Sequence, residues 1–184
     1  MLKTDNISLR ELVCEDWKAI HQYASQEIVS QYQPWGPNSE NDSISYVSEV
    51  IEESKKVPRV RFAQAIIETN SGKLIGAGEL MIKSIINREG EIGYIIHPDY
   101  WGKGYATEAA HLLLKLGFTN LNLHRIFATC DPRNQNSEKV LRKLGMTFEG
   151  RIRESILLKD GWRDSLIYSM LENEWKADNV NSHK

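Results

Sequence analysis

The residues best suited to chemistry lie in one run, Glu91-Ile92-Gly93-Tyr94-Ile95-Ile96-His97-Pro98-Asp99-Tyr100-Trp101-Gly102-Lys103-Gly104-Tyr105-Ala106-Thr107-Glu108-Ala109. A strand pattern runs into a turn holding Gly102, Gly104 and the small Ala106, and a helix pattern begins there. Glycines let a backbone approach a ligand and turn its N–H groups inward. The first N–H groups of a helix lack internal partners and sit at the positive end of its dipole. Together they form an anion site suited to a pyrophosphate, and Lys103 adds a positive side chain. The pattern is not a P-loop, because no Lys-Ser or Lys-Thr follows the second glycine. Nor is it the dinucleotide fingerprint, whose third glycine spacing is missing. A tight strand-to-helix turn that needs glycine only for packing would carry the same residues, so the turn alone names no ligand.

The elements around this run must position it. Ile7 to Leu12 alternates as a half-buried strand, and Trp17, Ile20 and Tyr23 or Ala24 fall at helical spacing. Gln33-Pro34-Trp35-Gly36-Pro37 is a loop. Asn41 or Asp42 is expected to cap a helix with Ile44, Val47 and Ile51 on one stripe, leaving an acidic face of Glu49, Glu52 and Glu53. Strands are expected over 61–68, 74–83 and 91–97, an antiparallel meander. A helix follows Gly104, then a short strand over 124–129, then a helix with Val140, Leu141 and Leu144 stopped by Gly145. Two strands, 147–157 and 163–171, turn at Lys159-Asp160-Gly161. The fold class is α/β: one mixed sheet with flanking helices.

The whole chain bounds the function. Its 184 residues suit a single domain, expected over 1–175, with a polar tail from 176 to 184 that should fray. A net charge of −2 argues against a nucleic-acid partner. Cys14 and Cys130 are far apart and match no metal spacing, so a disulfide framework is not expected and a reducing cytoplasm fits. The start lacks the apolar stretch of a signal peptide, and no apolar run reaches the length of a membrane span. His21 and His124 have no metal-like partners, and no metal is expected.

Trp101-Gly102-Lys103-Gly104-Tyr105-Ala106-Thr107-Glu108-Ala109 resembles the acetyl-CoA signature of the GNAT acetyltransferase superfamily, most nearly its RimJ/RimL-type branch of ribosomal-protein N-terminal acetyltransferases and their relatives. A second element, Asn134-Gln135-Asn136-Ser137 leading to Leu144-Gly145-Met146, follows at the right distance. Trp101 stands where the wider superfamily has Gln or Arg, and Met146 replaces the usual Phe. The resemblance implies a mostly antiparallel sheet splayed between the fourth and fifth strands, and acetyl-CoA as co-substrate. It implies that backbone groups of Ile95, Ile96 and His97 hold the pantetheine arm, as an added strand edge would. N–H groups of Gly102, Lys103, Gly104, Tyr105, Ala106 and Thr107 cradle the pyrophosphate, and Asn134 contacts the pantetheine.

Acyl transfer from a thioester to an amine needs a neutral amine, a stabilised oxyanion and a departing thiolate. Under the resemblance an N–H near Ile95 and Ile96 serves the oxyanion. Ser137, in the first turn of its helix, serves the thiolate or merely caps the helix. Glu91 is either the base or a solvated strand glutamate. Trp35 and its loop wall the acceptor site, or simply pack. The acceptor is a primary amine: a protein N-terminus, an amino acid, a polyamine or a drug. A CoA-binding sensor without turnover is the alternative from another class. Relatives are monomers or homodimers, and the sequence does not choose.

Overall fold

The computed structural model describes residues 2–181. Two short strands, β1 (Leu2–Lys3) and β2 (Ile7–Glu11), open an eight-stranded sheet. Three helices follow: α1 (Trp17–Ala24), α2 (Glu27–Ser30) and α3 (Glu40–Ser54). Then come β3 (Arg61–Glu68), β4 (Leu74–Ser84) and β5 (Glu89–Ile96), each antiparallel to its predecessor. Helix α4 (Tyr105–Lys115) crosses over to β6 (Arg125–Cys130), which runs parallel to β5. Helix α5 (Gln135–Lys143) leads to the hairpin β7 (Thr147–Leu158) and β8 (Gly161–Leu171), and α6 (Glu172–Asn181) closes the described chain. The order across the sheet is β1-β2-β3-β4-β5-β6-β8-β7.

The anticipated α/β class and splay are both present. β5 and β6 pair only from Glu89–Glu91 to Arg125–Phe127. Beyond that point the strands separate, and the β6-facing edge of β5 loses its ladder. These are the fourth and fifth strands of the anticipated series; β1 shifts the numbers by one.

Each face of the sheet buries its own helices. Leu80, Ile92, Ile96 and Ile126 pack with Ala109, Ala110 and Leu112–Leu114 of α4. Ala63 and Ala65 pack with Ile20, Tyr23 and Ala24 of α1 and Val47 and Val50 of α3. Burying one such leucine or isoleucine contributes about 1.5–3 kcal/mol.

Several local expectations change. Helix α3 is capped by Ser39, whose hydroxyl accepts from the Asp42 N–H at 3.2 Å while the Asp42 carboxylate accepts from the Ser39 N–H at 2.9 Å. Asp42 is therefore the far side of a capping box rather than the cap. The buried stripe of α3 is Ser43, Val47 and Val50, and Ile44 is exposed. The stretch expected as a polar tail from residue 176 is helical as far as Asn181, and residues 182–184 lie outside the described part. No helix among the described residues is long and apolar enough to cross a membrane.

Candidate active site

The glycine turn is built as its spacing requires. Gly102 and Gly104 take φ values of 76° and 87°, the left-handed region where other residues are strained. Gly104 is the N-cap of α4, and its carbonyl accepts from the Thr107 and Glu108 N–H groups. Thr107 thus closes the first turn, and the earlier N–H groups, up to Ala106, are the ones placed to meet an anion. Lys103 lies over the Tyr100 ring at 4.9 Å. The Tyr105 hydroxyl donates to Glu68 at 2.6 Å, and that bond holds its phenol above the ordinary value. The Trp101 indole donates to the Ile96 carbonyl at 2.7 Å and so ties the turn back to β5.

Backbone direction along β5 sorts the three residues anticipated for a pantetheine arm. The His97 N–H donates to the Ile75 carbonyl at 2.8 Å, on the β4 side. Alternation sends the Ile95 N–H the same way, and the Tyr94 and Ile96 N–H groups toward the gap between β5 and β6. Of the two anticipated oxyanion donors, Ile96 is the one facing that gap.

Helix α5 enters the gap from the other side. The Asn134 carboxamide oxygen accepts from the Ser137 N–H at 3.0 Å and caps the helix. Ser137 therefore does not act as the cap, and its hydroxyl lies 3.4 Å from the Tyr94 hydroxyl. Burial pushes the Tyr94 phenol well up, so it stays protonated as a partner for Ser137. Cys130 lies close by at 4% exposure, and burial pushes its thiol up to about 11. A thiol so protonated is a packing group, not a nucleophile.

A cavity of about 940 Å³ joins this point to the α1–α3 side of the sheet, and Trp35, Glu91, Ile95, Asn134 and Ser137 all line it. The Gly102–Thr107 turn, Ile96 and His97 lie outside its lining. Glu91 pairs with Lys83 at 3.1 Å and accepts from the Thr129 hydroxyl at 3.5 Å. It is held on the cavity wall rather than free in solvent.

The α1–α3 side of the cavity holds groups that spacing alone did not single out. Glu79 lies on β4 opposite Gly93 and lines the cavity. The Arg61 guanidinium reaches Glu79 at 2.9 Å and Glu49 and Glu53 at 3.0 Å each. Burial alone would lower the Arg61 pKa, and its bonds to Glu79 and Glu53 outweigh that and hold it above the ordinary value. Burial, reinforced by Glu79, pushes the neighbouring Tyr46 phenol up to about 12. Two members of the anticipated acidic face of α3 are thus committed to Arg61. Strand alternation on β4 was the one available signal, since it puts Glu79 on the face of Ala77 and Met81.

A second cluster fastens this wall. Arg163 on β8 is buried and donates to the Tyr32 carbonyl at 2.9 Å and to the Ser165 hydroxyl at 2.8 Å. Burial lowers its pKa from the ordinary arginine value. Beside it, the buried Asp131 carboxylate accepts from Arg133, which also reaches Asp160 at 2.8 Å. Burial would raise the Asp131 pKa; the Arg133 bonds reverse that and hold it low. No group of three or more His, Cys, Asp or Glu residues among the described residues is placed to hold a metal ion.

Residues 6–147 match the model of the acetyltransferase (GNAT) domain. An uncharacterised N-acetyltransferase of Bacillus subtilis strain 168, YnaD, is 35% identical over 95% of this chain and 98% of its own. The spermidine N(1)-acetyltransferase of Escherichia coli K12 is 28% identical over 97% of this chain and 92% of its own. The crystal structure of a GNAT-family acetyltransferase from Bacillus anthracis superposes with a TM-score of 0.82 at 34% identity, covering 94% of this chain and 99% of that one. The chain belongs to the GNAT acetyltransferases.

Proposed function

We propose that this protein transfers the acetyl group of acetyl-CoA to a positively charged primary amine. The observation that carries the reading is the cavity itself. It runs from a carboxylate-rich α1–α3 side, past the β5–β6 gap, to Ser137 and Asn134. Its lining carries Asp42, Glu49, Glu79, Glu91 and Asp131 against Arg61 and Arg163, and even with Lys83 on Glu91 and Arg133 on Asp131 the carboxylates stay in small excess, which favours a cation. The likeness to a spermidine acetyltransferase supports a polyamine acceptor. A protein N-terminal amine, the acceptor of the RimJ/RimL branch, is the competing arm of the test.

The donor fits the opposite side. The N–H groups at the start of α4 suit the pyrophosphate of acetyl-CoA. The open edge of β5 suits its pantetheine amides, which would extend the sheet as an added strand does. The thioester then lies in the gap. The acceptor ammonium gives a proton to Glu91, directly or through water, and its nitrogen attacks the thioester carbon. The oxyanion accepts from the Ile96 N–H as the new C–N bond forms. The C–S bond then breaks as the Ser137 hydroxyl, backed by Tyr94 and the α5 dipole, gives a proton to the departing thiolate; the second proton of the new amide nitrogen replaces it, directly or through water, and Glu91 returns the first proton to solvent.

A thiol-release assay with acetyl-CoA and a panel of spermidine, free amino acids and peptides with free N-termini tests this reading. Release with spermidine is expected. Release with peptides alone would move the acceptor to a protein N-terminus. No release with any amine, beside tight acetyl-CoA binding, would leave a CoA sensor instead.

A further inference from the structure

Gly93 sits in the middle of β5, exposed, where a side chain would be expected. A glycine inside a strand costs about 0.5–1 kcal/mol relative to alanine, so it needs a reason. Backbone geometry gives none, because Gly93 is absent from the left-handed glycines. Packing gives none either. A Cβ built on Gly78 would meet Leu113 Cδ1 at 3.1 Å, and one on Gly90 would meet Leu123 Cδ1 at 2.7 Å. A Cβ on Gly93 meets nothing within 4 Å. The space it would enter belongs to the cavity, which Gly93 lines. A strand glycine of this kind marks a place where a ligand passes close to the backbone.

The face of β5 tells which ligand. Gly93 shares its face with Glu91 and Ile95, and Ile95 packs with the α1–α3 cluster. Tyr94, on the opposite face, meets Ser137. Directly across from Gly93 stands Glu79, and two residues before it stands Glu91. Two carboxylates, Glu79 shared with Arg61 and Glu91 with Lys83, therefore border a patch of bare backbone on the acceptor side, each with oxygen lone pairs left for a further donor.

We infer that Gly93 is the clearance position of the acceptor channel: the carbon bearing the reacting amine crosses its bare backbone, with the ammonium read by Glu79 and Glu91. This rests on the amine-acetylation reading above. A side chain at position 93 would narrow the channel without touching the donor groups on the other edge of β5. The loss should grow with the bulk on the amine-bearing carbon. An amine branched at that carbon, as in a peptide N-terminus, suffers more than an unbranched one.

The test compares wild type, Gly93→Ala and Gly93→Val with two turned-over amines, one branched at the amine-bearing carbon and one not. Melting temperature should stay at or slightly above wild type, and the KM for acetyl-CoA close to it. Acceptor kcat/KM should fall about 3-fold in the alanine variant and about 30-fold in the valine variant, as one and three added carbons in the channel would cause. The branched amine should lose more. Unchanged acceptor kinetics in Gly93→Val overturns the inference, and so does an acetyl-CoA KM that rises in step with the acceptor's. An equal loss for both amines also overturns it. Because Gly93→Ala adds a single methyl into open space, it guards against a folding defect in the valine variant. Wild-type turnover is read separately: its absence with every amine removes the acetylation reading itself, whereas an active wild type with insensitive variants removes the clearance role alone.

Discussion

The proposed donor cradle and the proposed acceptor cavity are built by opposite means. The donor side comes from two short stretches, 95–107 and 134–137, and presents mainly backbone N–H groups and a serine. The proposed acceptor side gathers Trp35, Glu49, Arg61, Glu79 and Glu91 from five separate elements or loops and presents mainly charged side chains. A backbone cradle depends on chain geometry and tolerates few residue types. A side-chain wall depends on which charges face one another, and it can change residue by residue while the sheet stays the same. One fold can thus keep its donor and vary its acceptor.

That contrast can be broken at four points, in descending order of effect. Ser137→Ala should lower kcat about 100-fold, the scale for losing a donor to developing charge, with acetyl-CoA affinity spared. Stopped-flow or steady-state thiol release reads it, and unaltered kcat would move the thiolate's partner elsewhere. Gly104→Val should raise the KM for acetyl-CoA roughly 10- to 30-fold, since a left-handed non-glycine residue costs about 1–2 kcal/mol. The acceptor KM should hold steady; if both rise together, the two sides are not separable. Glu79→Gln should do the reverse, raising the KM of a cationic acceptor about 5- to 10-fold while acetyl-CoA binding is kept, as for a hydrogen bond to a charged group. A neutral amine should lose less, and equal losses would take the charge of Glu79 out of recognition.

The smallest effect concerns the cluster around Asp131. Its carboxyl is held below the ordinary value by Arg133, so its stabilisation is complete above the unfolded value and is lost as pH falls through the lower folded one. Asp131→Asn should melt roughly 3 °C lower at pH 7, and the gap should close as pH falls below about 3.8. Calorimetry across pH 7 to 2.5 checks it. A gap independent of pH would mean that the charge contributes nothing.

The same contrast decided what could be read from the chain alone. The turn at Gly102 and Gly104 was legible because its geometry is local, with the Gly104 carbonyl meeting N–H groups three and four residues on, whereas the Tyr94 partner of Ser137 lies 43 positions away. The strands and the α4 stripe were legible from periodicity for the same reason. Glu79 was missed because its meaning depends on Arg61, and that pairing exists only after β3 and β4 align in register. Ser39 was missed as the α3 cap because Asn41 and Asp42 offer equally good capping chemistry two and three residues on. The tie from the acidic face of α3 to Arg61 was not legible because nothing local points to it.

The Arg163–Tyr32 hydrogen bond spans 131 positions of the chain. During synthesis the Tyr32–Pro37 loop emerges early, and its anchor appears only when the last hairpin has been made. Strands β2 to β5 and the glycine turn can assemble from contacts between neighbours before that moment. The acceptor wall is consequently among the last parts of the molecule to acquire its final shape. A nascent chain stopped short of β8 would carry a nearly complete donor cradle beside an unfastened acceptor wall.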